Sequence, residues 1–397
     1  VPHRAQLQIP MQTTHFDVLV IGGGALGAFH AYHALKRGLS VALFEKDPAP
    51  NSATVRNFGQ IVPSGMNPTW QAHGRKSLEV YSSIQAKWDL GIQQNGSIYI
   101  ASDEEEVQLL EELHQINRDN DYPSELWTQA QCLARYPNVR PEYGKAGLFF
   151  PTELSANPRR MIHRLLAFLQ QDPRFSYFPR TLIREIDSAG STCIARDLSG
   201  NTYRGEKALL CSGTEFAWLY PERFQQSDLE WVKLQMLRLK PQQNIHIPGN
   251  ILTGHTIRRY ESFQDCPSFA DIKAREDKDS FWKKWSIHIL FKQEADGSII
   301  LGDSHEYGLL STHELPDYFL REEVSRFFIE EGQKIMSLEH WEVEEQWLGL
   351  YAQCRTQDIF LDTVDGKVHI ATGIGGKGMT GSAGFAFDNL QKIYGNA

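Results

Sequence analysis

Apolar residues along the chain fall into short runs broken by glycine turns and by amphipathic stretches, and the first run sets the architecture. Phe16-Asp17-Val18-Leu19-Val20-Ile21 is nearly continuous in apolar, β-branched residues, the pattern of a strand buried on both faces. Gly22-Gly23-Gly24 ends it. From about Ala25 to Arg37, Leu26, Phe29, His30 and His33 recur one helical turn apart, which predicts a helix closed by Gly38 as a left-handed cap. Ser40–Phe44 reads as a second buried strand ending at Glu45. Strand, helix and strand within about 30 residues make a βαβ unit, whose strands should run parallel.

Beyond Lys46, the proline-rich Asp47–Ser52 reads as a loop. Helices are predicted from Pro68 to about Leu90, Asp103 to about Arg118, Asn157 to about Gln171 and Glu322 to Met336. Strands are predicted at Gly96–Ala101, Thr181–Ile186, Thr192–Asp197 and Lys207–Cys211. The stretch from Glu230 to about Tyr307 is mostly strand-like, with a charged helical piece around Asp271–Lys284. A last strand, Lys367–Thr372, leads through a second glycine turn into a helix ending near Tyr394. The carboxylates of Asp103–Glu106 suit the positive end of a helix and read as a solvated first turn.

The chain has 397 residues, enough for two or three domains. Its net charge of −9 argues against a nucleic-acid partner, because phosphate binding needs a basic surface. No apolar run approaches the roughly 18 residues needed to span a bilayer. The polar segment before His15 lacks the apolar middle of a signal peptide, and Met11 is a plausible start, with residues 1–10 an extension. Five cysteines, odd in number and far apart, read as reduced thiols of a cytoplasmic protein. No metal-like spacing is evident, and none is expected; His30 and His33 share a helix face but lack a third ligand, which favours helix packing.

Gly22-x-Gly24-x-x-Gly27 matches the dinucleotide fingerprint. Its glycines permit a tight turn, close approach of backbone to pyrophosphate, and close helix–strand packing. The helix from Ala25 would aim its free N–H groups at the phosphates. Glu45 is placed to accept hydrogen bonds from the adenosine ribose, which disfavours a 2′-phosphate. At the other end of the chain, Thr372-Gly373-Ile374-Gly375-Gly376-Lys377-Gly378-Met379-Thr380 again runs from a glycine turn into a helix. A turn so tightly packed can lie against a flat ring and stabilise negative charge on it, which favours FAD over a nicotinamide cofactor.

With these motifs, and with Leu209–Gly213 and Trp347-x-Gly349, the chain resembles the D-amino-acid oxidase, glycine oxidase and sarcosine oxidase superfamily of flavoproteins over nearly all of residues 15–397. Ala53–Gln60, Pro123–Leu126 and Gly302–Tyr307 further resemble a branch associated with aminophosphonate breakdown. The resemblance implies an α/β (α+β) fold. A Rossmann-like FAD-binding domain with a parallel sheet would come from 15–90, 154–225 and 343–397. A second, mixed β-sheet substrate domain would come from 91–153 and 226–342. The expected cofactor contacts are Gly22, Gly24, Ala25, Leu26, Gly27, Glu45 and Lys46; Ser52, Arg56, Asn57, Gly59 and Gln60; Ile183 on the adenine side; Ser212 and Gly213; and Gly375, Gly376, Lys377, Gly378, Met379 and Thr380.

Two departures matter. Relatives that oxidise amino acids carry a carboxylate-gripping arginine where this chain has Tyr351, and sarcosine oxidases carry a lysine where it has Thr380. A plain α-amino acid is therefore a doubtful substrate. The cysteine that attaches flavin in sarcosine oxidases is replaced by Gly349, so non-covalent FAD is expected.

The implied reaction is hydride removal from a carbon beside an amine nitrogen onto flavin N5, imine hydrolysis, and reoxidation by O2 to H2O2 or by another acceptor. The substrate would be a small amine, foremost an aminoalkylphosphonate or its N-methyl derivative. A D-amino-acid or glycine dehydrogenase and a non-catalytic flavin-binding module are the alternatives. Arg258, Arg259, Tyr260, Lys273 and Tyr351 are candidates for holding the substrate anion. His305, Tyr351 and Gln60 are the candidate catalytic groups, and His305 and Glu306, adjacent on a strand, should face opposite ways. A monomer or small homo-oligomer is expected.

Overall fold

The computed structural model describes residues 14–395; the suggested start at Met11 lies outside the described residues. Thr14–Ile21 lies at the centre of the first sheet, parallel to Val41–Phe44 on one side and to Thr202–Leu210 on the other. Phe175–Phe178, which periodicity missed, extends the parallel array beyond Val41–Phe44. The outer edge of Thr202–Leu210 is shared. Cys193–Asp197 runs antiparallel along its first half, and Val368–Thr372 runs parallel along its second. The helices Ala25–Lys36, Pro68–Gln85 and Gly378–Tyr394 pack against one another. Their apolar faces merge with Val18, Val20, Val41 and Leu43 in one core.

The second sheet is mixed. Its order is Val343–Cys354, Leu229–Leu239, Ile299–Leu309, Leu290–Gln293, Asn250–Leu252, Ser97–Ala101, Ala146–Phe150 and Glu125–Thr128. Only Asn250–Leu252 and Ser97–Ala101 pair in parallel. Val343–Cys354, which the sequence reading gives to the nucleotide domain, pairs along its length with Leu229–Leu239 in this sheet. Its alternating burial is that of a strand with one covered face, a weaker signal than the continuous runs of the parallel strands.

Two other expectations need correction. The helix from Pro68 ends at Gln85, where the Gln85 side chain accepts hydrogen bonds from Leu90 N and Ile92 N and turns the chain. The region between Asn250 and Leu290 is largely helical turns: Gly254–Ile257, Glu261–Asp265, Phe269–Arg275 and Phe281–Lys284. The charged helical piece is split there, because the Asp277 carboxylate accepts from Asp279 N and forms a local turn. Among the described residues, no helix is long and apolar enough to cross a membrane.

Candidate active site

A cavity of about 790 Å³ opens between the two sheets, within the ~300–1,000 Å³ usual for small-molecule sites. Its nucleotide-side wall begins where Thr14–Ile21 ends. Gly22 has φ +110, and a Cβ there would lie 2.2 Å from Cys211 O; a Cβ on Gly27 would lie 2.0 Å from Gly22 O. These two glycines therefore allow strand and helix to pack, just behind the wall, while Gly24, Ala25 and Leu26 line it. Glu45 is buried and accepts hydrogen bonds from Gly23 N and Asp47 N, each at 3.0 Å. Thr54, which the motif reading passed over, holds its Oγ1 3.0 Å from Ala25 N, at the start of the helix.

The C-terminal glycine turn completes this wall. Thr372 Oγ1 donates to Gly213 O at 2.6 Å, which ties the two turns together. Gly375–Thr380 line the cavity, and Thr380 Oγ1 also accepts from Val62 N at 3.0 Å. Asn57, Gly59 and Gln60 line it from the loop after the βαβ unit. Gln60 Nε2 and Ser382 Oγ are buried here with no partner among the described residues. Buried polar atoms are rarely left unpaired, so these orphans call for a ligand with acceptors and donors of its own. A helix N-terminus, two glycine turns and orphaned polar groups along one long cavity fit FAD.

Other expected cofactor contacts sit elsewhere. The exposed Arg56 is turned to Asn51 O and Leu348 O, bracing the loop against the second sheet. Lys46 pairs with Asp47, and Ser52 is exposed at the start of a short helix. Ile183 is buried in the apolar cluster beneath the first sheet, and Ser212 lies beside the lining without joining it. Lys377 reaches Glu261 and Asp358 at the cavity rim, at 2.8 and 3.2 Å.

The opposite wall is made of side chains. Arg259, Tyr260, His305 and Tyr351 line it, together with His288, Asp303 and Tyr307. The Arg259 guanidinium donates to Ser286 O (2.7 Å), His305 Nδ1 (3.1 Å) and the Tyr307 hydroxyl (3.2 Å). No carboxylate of the described residues comes within 4.0 Å of it. Arg258, its neighbour, has the opposite fate. It ends the helix Gly254–Ile257 and turns outward into Asp103, Glu105 and Glu106, at 2.7, 3.1 and 2.8 Å. Lys273 pairs with Glu276 and donates to Arg258 O. Neither Arg258 nor Lys273 reaches the cavity, so both leave the set of anion-holding candidates. The Asp103–Glu106 turn is correspondingly more than a solvated cap: Glu106 is buried and anchors Arg258.

His288 and Asp303 were not singled out from the sequence. Asp303 falls at a bulge in Ile299–Leu309, where the pairing skips from Gly302 to Ser304. His305 and Tyr307 share its face, whereas Glu306 points away to Lys233 and Arg321. His288 Nε2 lies 2.5 Å from Asp303 Oδ1, and the two imidazoles stack 5.6 Å apart. Burial opposes ionisation of Asp303, but His288, His305 and Arg259 outweigh it and hold the carboxyl well below the usual range. Burial, then the Arg259 charge, pushes His305 down to about 3, so this ring is neutral. His305 Nδ1 lies 3.1 Å from the Arg259 guanidinium, which only donates, and 3.3 Å from Ser286 O, which only accepts, so the tautomer of this ring follows from which of the two contacts it keeps.

Ligand atoms of His288, Asp303 and His305 lie within 4.8 Å of one another, a two-histidine, one-carboxylate set that sequence spacing could not reveal. Arg259 fixes a cation on one of these ligands, which opposes metal binding.

A parallel sheet entered through a glycine turn, with a mixed sheet facing it across one cavity, defines a dinucleotide-dependent oxidoreductase fold. The chain belongs to the DAO family, FAD dependent oxidoreductase, whose model matches residues 17–387. FAD is accordingly its cofactor. Human mitochondrial sarcosine dehydrogenase is 30% identical over 152 residues, a segment covering 36% of this chain and 16% of that protein. Glycine oxidase of Geobacillus kaustophilus (strain HTA426) is 23% identical over 215 residues, covering 52% of this chain and 56% of the relative. The matches thus span well under two thirds of these relatives' lengths. The fold is similar to that of L-α-glycerophosphate oxidase from Mycoplasma pneumoniae with FAD bound. The TM-score is 0.76 at 16% identity, over 96% of this chain and 95% of the other.

Proposed function

We propose that this protein oxidises the C–N bond of a small aminoalkylphosphonate or N-methylaminoalkylphosphonate. The observation that carries the reading is Arg259, a cation lining the cavity with no carboxylate partner. An unpaired charge in such a place is costly, and a bound anion would offset that cost. The donor geometry favours a phosphonate over a carboxylate. Arg259 Nη2 faces His305 Nδ1 at 3.1 Å and donates to the Tyr307 hydroxyl at 3.2 Å, so both paired edges of the guanidinium, which share this nitrogen, are crowded for a bidentate carboxylate. What remains are single donors from several directions: Arg259 Nε and Nη1, and the phenols of Tyr260 and Tyr351. Such a set suits a tetrahedral group with three oxygens.

Bound FAD would supply the acceptor for a hydride from the carbon beside nitrogen and pass the electron pair to O2 as H2O2. The chain orients the substrate between its two walls, and the imine product hydrolyses to an aldehyde and ammonia or a small amine. The cofactor is held without a covalent bond. Gly349 carries no thiol, and burial pushes Cys211 and Cys354, both at the cavity, up to about 12. Acid precipitation should leave the yellow colour in the supernatant.

The test is anaerobic mixing of the holoenzyme with N-methyl-2-aminoethylphosphonate, following the visible flavin band. Rapid bleaching is expected, with peroxide released on admitting air. Bleaching by glycine or D-alanine instead would sink the phosphonate reading, and bleaching without peroxide would point to another electron acceptor.

A further inference from the structure

We propose that the cavity accepts O-alkyl monoesters of the aminoalkylphosphonate, with the ester chain leaving through the opening beside Tyr307. The inference rests on the phosphonate reading above and widens the substrate class that the same site would take.

The anion end of the cavity is an open end. Tyr307 lines the cavity and is 46% exposed, whereas Arg259 and Tyr351 are half-buried and His305 is buried. Arg259 reaches this opening, because its Nη2 donates to the Tyr307 hydroxyl at 3.2 Å. Tyr307, Val232 and Tyr351 are paired side by side on three neighbouring strands, which brings Tyr351 to the same end. An anion held by Arg259 and Tyr351 therefore keeps one side toward the Tyr307 opening.

Charge points the same way. Arg259 brings one positive charge to this end. Lys377, also in the lining, is engaged by Glu261 and Asp358. Arg355 stands four residues beyond Tyr351, about 13 Å further along the extended chain. A free phosphonate carries up to two negative charges near neutral pH, and a second one taken out of water without a partner is costly. A monoester carries one, which Arg259 matches. Its two unesterified oxygens take donors from Arg259 and Tyr351, and the ester oxygen, a weak acceptor, turns outward.

The surface outside the opening suits an alkyl chain. A Cβ on Gly308, the residue after Tyr307, would lie 2.7 Å from Pro316 Cδ, so the loop that continues this strand folds back against it here. That loop carries exposed Leu315, Tyr318, Phe319 and Leu320. It is also held in place: the buried Lys233 ammonium donates to Asp317 Oδ1 at 2.9 Å and to Phe319 O at 2.8 Å. An exposed apolar row that is already fixed offers contact to a chain without the cost of ordering the loop. The chemistry at nitrogen is unchanged, and the ester bond is neither formed nor broken.

The test follows anaerobic bleaching of the holoenzyme's flavin band by N-methyl-2-aminoethylphosphonate, by its O-ethyl and O-hexyl monoesters, and by the same headgroup as a diacylglycerol ester in phosphatidylcholine vesicles. The ethyl ester should reduce the flavin within about 10-fold of the free acid's rate, since at most one hydrogen bond is forgone. The hexyl ester should show a KM about 10-fold below that of the ethyl ester, as four half-buried methylenes would give. Leu315→Ser should remove about 3-fold of that gain while leaving KM for the free acid within about 2-fold of wild type. Mass spectrometry should find the ester intact in the aldehyde product. Bleaching by the soluble esters alone assigns the site to free monoesters, and bleaching by the vesicle-borne ester as well assigns it to a lipid headgroup; either supports the inference. An ethyl ester that leaves the band untouched where the free acid bleaches it, a hexyl ester bound more weakly than the ethyl, or a product that has lost its ester overturns the inference alone. A band that neither the free acid nor any ester bleaches sinks the phosphonate reading with it.

Discussion

The nucleotide-side wall of the cavity is chiefly backbone, whereas the facing wall is chiefly side chain. On the first, Gly24, Gly213 and Gly375–Gly378 bring amide groups close to whatever lies between them, and their shape is fixed by contacts behind the wall. On the second, Asp303 and His305 project from Ile299–Leu309 and Tyr351 from Val343–Cys354, while Arg259 and His288 come from the loops after Ile257 and before Leu290, and their roles depend on which hydrogen bonds each already makes. Just behind the backbone wall, at Gly22 and Gly27, an added Cβ meets backbone at 2.2 and 2.0 Å, whereas at Gly213 in the wall it meets nothing within 4 Å; the wall itself is indifferent to most side-chain chemistry. A side-chain wall is tolerant of volume and sensitive to charge. The first suits a cofactor shared by a family; the second suits selection among substrates.

The largest effect should come from adding one carbon just behind the backbone wall. Gly27→Ala places a Cβ 2.0 Å from Gly22 O, which only a shift of the helix Ala25–Lys36 can relieve. Overpacking on this scale costs roughly 3 kcal/mol or more, and the variant should purify colourless with a clearly lowered Tm. Retention of FAD at full occupancy would mean that this wall is softer than its packing implies.

The facing wall offers a sharper contrast in two adjacent residues. Arg259→Met should leave FAD content and Tm near wild type but raise KM for the phosphonate by about 10- to 150-fold, as for a charge-assisted bond worth about 1.5–3 kcal/mol. Arg258→Met should do the reverse. It strands the buried Glu106 beside two other carboxylates, which should cost about 3 kcal/mol of stability while KM stays within about 2-fold. Thermal melts and steady-state kinetics on both variants decide whether the division holds.

Acid should act on the nucleotide side through two buried histidines. Burial pushes His30 and His33 down to about 4, where His30 accepts from Asn389 and packs in the helix core, so helix packing accounts for both. Each binds a proton more readily unfolded, so its stabilising effect is full above about pH 6.5 and is lost as pH falls toward 4. By pH 5 the loss should be about 2 kcal/mol for His30. His30→Gln should flatten the Tm-against-pH curve over that window; an unchanged slope would place the acid sensitivity elsewhere.

The same contrast explains what could be read from the chain alone. Gly22, Gly24, Gly27 and Glu45 lie within one βαβ unit, so their spacing carries the geometry, and the C-terminal turn repeats the pattern locally. The facing wall has no such local code. Arg258 and Arg259 are indistinguishable in sequence, and only the end of the helix Gly254–Ile257 decides which one turns inward. Asp303 reaches the cavity through a bulge, and bulges leave no mark in an apolar pattern. His288 meets it because two strands pair, a long-range fact. Val343–Cys354 was misassigned for a related reason: it alternates in burial and follows a helix, as strands of either sheet could.

Tyr351 reaches from one wall toward the other, and it should give the smallest effect. It projects from the second sheet among Arg259, His305 and Tyr307, yet its hydroxyl would lie only 3.9 Å from a Cβ on Gly376 in the glycine turn. Removing the hydroxyl in Tyr351→Phe keeps the ring and its edge-on contact with His305, and forfeits one neutral hydrogen bond worth about 0.5–1.5 kcal/mol, roughly 2- to 13-fold. If Tyr351 serves the anion, the change should appear as a raised KM for the phosphonate with the flavin spectrum unaltered. If it serves the cofactor, the visible band and the affinity for FAD should move while KM stays put. A phenol held protonated by burial can donate to an acceptor across the cavity. Arg259 converges on the same acceptor region from its own side. We therefore expect the first outcome, with the second marking the point at which the backbone wall extends its reach into the side-chain one.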